Sequence, residues 1–73
     1  MREWLLDMRK EDGLTGKDMA AKLGISEAYY NRIEHGQRKK SLSLEFCMKL
    51  AEALGRDWFV IAQEEARYGR GNQ

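Results

Sequence analysis

The side chains with chemistry to offer crowd into one short stretch. Glu27, Ala28, Asn31 and Arg32 are spaced by one, three and four, so on a helix they share one side. Arg32 carries a rigid fork of donors, Asn31 an amide that donates and accepts, and Glu27 a pair of acceptor oxygens. Tyr29 adds a hydroxyl at the margin of that face. Three consecutive cations follow, Arg38, Lys39 and Lys40. Such a set hydrogen-bonds planar polar edges and holds anions. It is not a catalytic constellation. The chain has a single His and a single Cys. His35 falls at a helix C-terminus, where an imidazole satisfies carbonyls and the helix dipole. Cys47 lies inside an apolar stripe and reads as a buried structural thiol. There is no nucleophile-base pair, no Gly-rich phosphate loop and no His or Cys cluster. No enzyme activity, metal, cofactor or small-molecule substrate is therefore expected.

These residues must be held by something, and Leu14 to Gly36 supplies it. Thr15 is a polar cap. Met19, Ala20 and Leu23 then form one apolar stripe at helical spacing. Gly24 follows the last periodic residue, where a left-handed C-cap wants no Cβ. Ser26 caps a second helix, in which Tyr30 and Ile33 face inward and which Gly36 closes. Two short capped helices joined at Gly24 make a helix-turn-helix. In that motif the N-terminal part of the second helix lies in the major groove of DNA. Arg32 can then pair bidentately with guanine, and Asn31 can pair with adenine or hold a phosphate. Glu27 accepts from cytosine N4, and Ala28 touches a thymine methyl. The Tyr29 hydroxyl reaches a phosphate.

The stretch resembles the lambda-repressor/Cro-type (XRE) DNA-binding family. The resemblance is carried by Gly13, Leu14 and Thr15, by Ala20, Leu23, Gly24, Ile25 and Ser26, and by Tyr30, Arg32, Ile33, Glu34 and Gly36. The later run Leu50 to Gly55 matches as well. It covers roughly residues 4 to 62. The resemblance implies an all-α, compact five-helix domain that binds double-stranded DNA as a transcriptional regulator and dimerises. It also implies a cytoplasmic, nucleoid-associated setting of bacterial or phage origin. In the family an Arg at the place of Arg9 pairs with the Glu near the end of the recognition helix, here Glu34. The family usually has a phosphate-contacting Gln right after the Thr; here that place is Gly16. Backbone amides at the helix N-terminus can still hold a phosphate, and Lys17 is adjacent. Arg38, Lys39 and Lys40 stand where the family's loop passes the DNA backbone, so they are assigned to phosphates.

The flanking elements follow from periodicity. Residues 3 to 12 read as a first helix with Trp4, Leu5 and Met8 inward and Leu6 beside them. A fourth helix runs from about Leu44 to Leu54 behind Ser43, with Leu44, Cys47, Leu50, Ala51 and Leu54 as its core stripe and Gly55 as its C-cap. A fifth begins after Asp57 and runs to about Arg67. Trp58, Ile61 and Ala62 complete the core. Phe59 and Val60 cannot share that face; they suggest a contact surface, unless Phe59 packs back under Trp4 or the tail, and the family resemblance, with dimerisation through this region, implies that they form a homodimer interface. The domain thus spans residues 1 to 67, with 68 to 73 as a flexible tail.

Composition sets bounds. The chain has 73 residues, no Pro and a net charge of +1. That length fits one domain with a small core. The absence of Pro suits helices. Near-neutrality does not itself point to nucleic acid, but residues 27 to 40 hold four of the basic residues against two acidic ones, so one face can be basic. One Cys excludes an intramolecular disulfide and suits a reducing compartment. No apolar run approaches a membrane span or a signal peptide. With no room expected for an effector domain, regulation would come through dimerisation or a partner. The competing reading is a protein-interaction module on the same fold, an antitoxin or a mobile-element accessory protein. Gly16 and the low net charge favour it, whereas Arg32 and the basic run oppose it.

Overall fold

In the computed structural model, residues 1–37 and 42–71 are described. Among them are five helices: α1 (Glu3–Glu11), α2 (Gly16–Leu23), α3 (Glu27–Glu34), α4 (Leu44–Leu54) and α5 (Trp58–Gly71). The boundaries are written in side chains and glycines. Thr15 and Asp18 form a reciprocal capping box at the start of α2. The Ser26 hydroxyl accepts from the Tyr29 amide and the Ser43 hydroxyl from the Phe46 amide. At Gly24 the backbone turns left-handed (φ 71°), and the Ile25 amide reaches back to the Ala20 carbonyl.

Each helix contributes one stripe to a common core. Leu5 comes from α1, Met19 and Ala20 from α2, and Tyr30 and Ile33 from α3. Phe46, Cys47, Leu50, Ala51 and Leu54 come from α4, and Ile61 from α5. Trp4, Met8, Leu14, Leu23 and Ile25 pack half-buried against it. α4 lies against both α2 and α5, while α2 packs on α3 and α1 on α3. The helix-turn-helix therefore sits on a platform made by α1, α4 and α5.

Three expectations are corrected. Leu44 shares the rotational phase of the α4 stripe, but it lies in the first turn, beyond the end of the core, and is 60% exposed. Phe46 fills the core in its place. Trp58 likewise sits in the first turn of α5 and is 46% exposed, edge-on to Phe59 with ring centroids 6.0 Å apart. Finally, α5 does not stop near Arg67 with a tail from Tyr68. It continues to Gly71. The cause is Tyr68, whose ring lies under the guanidinium of Arg2, 4.9 Å from carbon to centroid, and which thereby anchors an extra turn.

Candidate nucleic-acid interface

The N-terminus of α2 is shaped by its glycine. A Cβ on Gly16 would stand 3.0 Å from Asn31 Oδ1 and 3.7 Å from the Tyr30 ring. The missing side chain thus lets the start of α2 approach α3 closely, a packing reason invisible in the sequence. The capping box engages the Thr15 and Asp18 amides. The amides of Gly16 and Lys17 remain as the pair at this helix end available to an anion. The Lys17 side chain is exposed. Asp18 works against an anion here. Its carboxyl is held below the usual range by the Thr15 backbone amide first and then by the Thr15 hydroxyl, so it stays ionised.

The outward face of α3 holds Glu27, Ala28, Asn31 and Arg32, all exposed. None of these side chains has a hydrogen-bond or ion-pair partner among the described residues. Tyr29 is half-buried and leans on the core. His35 is the exposed C-cap of α3. The structure thus brings together, on neighbouring helix ends, the α2 amides, Lys17 and the α3 face. The assignments on Arg38, Lys39 and Lys40 lie outside the described residues. Phe59 and Val60 are exposed on α5, an element that packs chiefly on α4.

Behind the motif lies a charged network. Arg9 Nε and Nη2 donate to both oxygens of Glu34, each at 3.0 Å, and Nη1 donates to the Leu14 carbonyl at 3.0 Å. The Tyr30 hydroxyl donates to Glu34 Oε2 at 2.6 Å. Glu34 is nearly inaccessible, its side chain 3% exposed, against 15% for Arg9. Burial alone would raise the Glu34 carboxyl, but the donors on Arg9 and Tyr30 outweigh it and hold it below its ordinary value. The Arg9 guanidinium is held up in turn, chiefly by its hydrogen bonds to Glu34. Burial and then the Glu34 contact push the Tyr30 phenol well above its usual range. At neutral pH all three therefore keep one protonation state, and the network ties α1, the turn before α2, and the recognition helix together.

A second network was missed by sequence reasoning. Arg2 is wholly buried, with Nε and Nη2 on the two oxygens of Glu65 at 2.8 and 2.9 Å and Nη1 on the Ile33 carbonyl at 2.6 Å. Glu65 Oε2 also accepts from the Leu42 amide at 3.1 Å. A faint signal existed: Glu65 falls one turn after Ile61 on the inward stripe of α5, with Tyr68 three further on. Nothing local marked Arg2. Nearby Cys47 is buried, and burial first, then Glu65, pushes its thiol up, which makes it a poor nucleophile.

Comparison with known proteins fits this architecture. The profile described as Helix-turn-helix matches residues 5–61, running from α1 into α5. A curated protein of Bacillus subtilis (strain 168), "Uncharacterized HTH-type transcriptional regulator YqaF", is 39% identical over 64 residues, covering 88% of this chain and 82% of the relative. No solved structure matches the chain. With the two capped helices, the left-handed turn and the buried Arg9–Glu34 pair in place, the chain belongs to the lambda-repressor/Cro-type (XRE) helix-turn-helix family.

Proposed function

We propose that the protein is a sequence-specific double-stranded DNA-binding transcriptional regulator of the repressor/Cro type. The observation that carries this is the outer face of α3. Four side chains that suit base edges stand exposed there with no hydrogen-bond or ion-pair partner among the described residues, on a helix braced from behind by a buried ion pair. Arg32 reads guanine, Asn31 adenine, Glu27 cytosine N4 and Ala28 a thymine methyl. The Gly16 and Lys17 amides, the Lys17 ammonium, the Tyr29 hydroxyl and the cations Arg38, Lys39 and Lys40 hold phosphates and set the register. Exposed Phe59 and Val60 pair two copies, which place their α3 helices on half-sites about one helical turn apart. A protein of this kind works in the nucleoid without a bound cofactor.

The test is fluorescence anisotropy of the purified chain against a pool of random-sequence duplexes, with the salt stepped and the retained DNA sequenced. A steep salt slope and an enriched inverted repeat establish a dimeric operator binder. Binding without enrichment removes the sequence-specific part of the reading. No binding at low salt removes the DNA reading and leaves the protein-interaction module.

A further inference from the structure

Four of the described glycines have positive φ and answer to the backbone, and Gly16 is not one of them. It opens α2 with ordinary backbone geometry, where alanine has the better helix propensity. The reason for a glycine there lies in its neighbours. A Cβ would meet the Tyr30 ring at 3.7 and 3.8 Å, which is ordinary contact, but Asn31 Oδ1 at 3.0 Å, which is too close unless that atom moves. The two neighbours differ in what they can give. Tyr30 is wholly buried and its hydroxyl is tied to Glu34, so its ring holds its place. The Asn31 side chain is exposed and has no hydrogen-bond partner among the described residues, so it is the one that yields. The Asn31 carboxamide therefore lies in a notch that exists because residue 16 has no side chain. Asn31 is also one of the residues set on a base edge above. A bidentate contact of that kind depends on where both the oxygen and the nitrogen of the amide point.

We infer that Gly16 is a positioning residue for base reading: the notch it leaves sets the rotamer from which Asn31 meets its base, so the preference at that place is decided by α2 and α3 together. On a bare helix face an asparagine has more than one staggered rotamer open to it. Here the start of α2 and the fixed Tyr30 ring form a wall on one side, and the amide rests against it. The entropy of fixing that side chain is then lost on folding instead of on binding. The inference rests on the duplex-binding reading above, and its test separates the two.

Gly16→Ala is the smallest change that closes the notch, and it keeps the residue 16 amide, so a phosphate held there is undisturbed. The full chain is compared with Gly16→Ala, Asn31→Ala and Gly16→Ala/Asn31→Ala. Anisotropy is followed on the duplexes the unaltered chain retains and on each of their single base changes. Gly16→Ala should bind the preferred duplex about five- to tenfold more weakly, toward the low end of what a bidentate base contact is worth, and should relax the base position that Asn31→Ala relaxes. In the Asn31→Ala background the same change should alter binding by less than about twofold, because the group it displaces is gone. An equal loss on all sequences, a loss that persists in the Asn31→Ala background, or an unaltered base preference overturns the inference. Thermal melts followed by circular dichroism separate a packing defect. The melting temperature of Gly16→Ala should not fall, and a fall that persists in the double variant means that Tyr30 or the backbone gives way, which also overturns it. A check without DNA is the Asn31 χ1 angle from three-bond couplings. It should hold one rotamer in the unaltered chain and another in Gly16→Ala. An averaged or unchanged angle overturns the inference and leaves the duplex-binding reading standing. Failure of the unaltered chain to bind any duplex would instead remove the DNA reading and this inference with it.

Discussion

Replacing Arg9 by Met should be among the most damaging single changes in the protein, and it should reverse the sign of the pH dependence that Glu34 contributes. Arg9→Met keeps most of the stem and removes three donors. Glu34, whose side chain is only 3% exposed in the unaltered protein, is then left with one donor, the Tyr30 hydroxyl. Breaking a buried pair this way costs about 3–5 kcal/mol. A domain of 73 residues holds only roughly 4–11 kcal/mol in all, so the variant is marginal. The reverse cut is milder. In Glu34→Gln the guanidinium keeps the Leu14 carbonyl and is already partly exposed, so it relaxes toward water for about 1–3 kcal/mol. Arg9→Met/Glu34→Leu/Tyr30→Phe should recover most of the loss, because an apolar filling of similar volume replaces a buried pair at little net cost.

The pH dependence gives the sharper check. In the unaltered protein the folded Glu34 carboxyl lies below its ordinary value of 4.5. Its contribution to stability is therefore complete above pH 4.5 and is lost as pH falls below that value, through the depressed folded one. In Arg9→Met the Arg9 donors are gone and burial outweighs the remaining Tyr30 hydroxyl, so the carboxyl is raised. A raised acid contributes stability that is present at low pH and lost as pH rises through the raised value. Urea melts at pH 7 and pH 4.5 report both. With a slope near 1 kcal/mol per molar, the variant's midpoint at pH 7 should drop by about 3 M and the gap should narrow at pH 4.5. A loss under about 1 kcal/mol at pH 7, the scale of an exposed pair, would refute the argument. So would a gap that widens on acidification.

Three further outcomes follow from named side chains. Arg32→Ala should cost about 1–3 kcal/mol on the preferred duplex and relax one base position, measured by competition binding; an equal loss on all sequences would make Arg32 a phosphate contact instead. Phe59→Glu should yield monomers by sedimentation, since a 55%-exposed ring beside exposed Val60 is the apolar surface offered; an unaltered protein that is itself monomeric would sink this. Gly36→Ala should destabilise more than Gly24→Ala. Both have positive φ (79° and 71°) and share a strain of about 1–2 kcal/mol, but only Gly36 would also meet the Tyr68 hydroxyl. Thermal melts of the two variants giving equal losses would mean that Tyr68 swings away freely.

What could be read from the chain and what could not differ in the kind of information each residue carries. The stripe Met19, Ala20, Leu23, the caps Thr15 and Ser26, and the stop at Gly24 are signals complete within a few residues, and the structure has α2 and α3 at the expected places. The periodicity of α4 gave rotation but not axial reach. Leu44 has the right phase and overhangs the core, and Trp58 repeats the error at the start of α5. Arg9 and Glu34 lie 25 residues apart, and only the family resemblance joined them. Arg2 and Glu65 are 63 residues apart, outside that resemblance at both ends, and each taken alone reads as a solvated charge. Their burial is decided by α5 running on to Tyr68, which in turn depends on the Arg2 guanidinium above its ring. The two ends of the chain specify each other, and no window of sequence contains both. That mutual dependence explains why α5 runs past the end near Arg67 that its local sequence suggests. A helix end rich in Gly and Arg has little propensity of its own, and Gly69 and Gly71 stay helical because the turn before them is held by a partner at the opposite terminus.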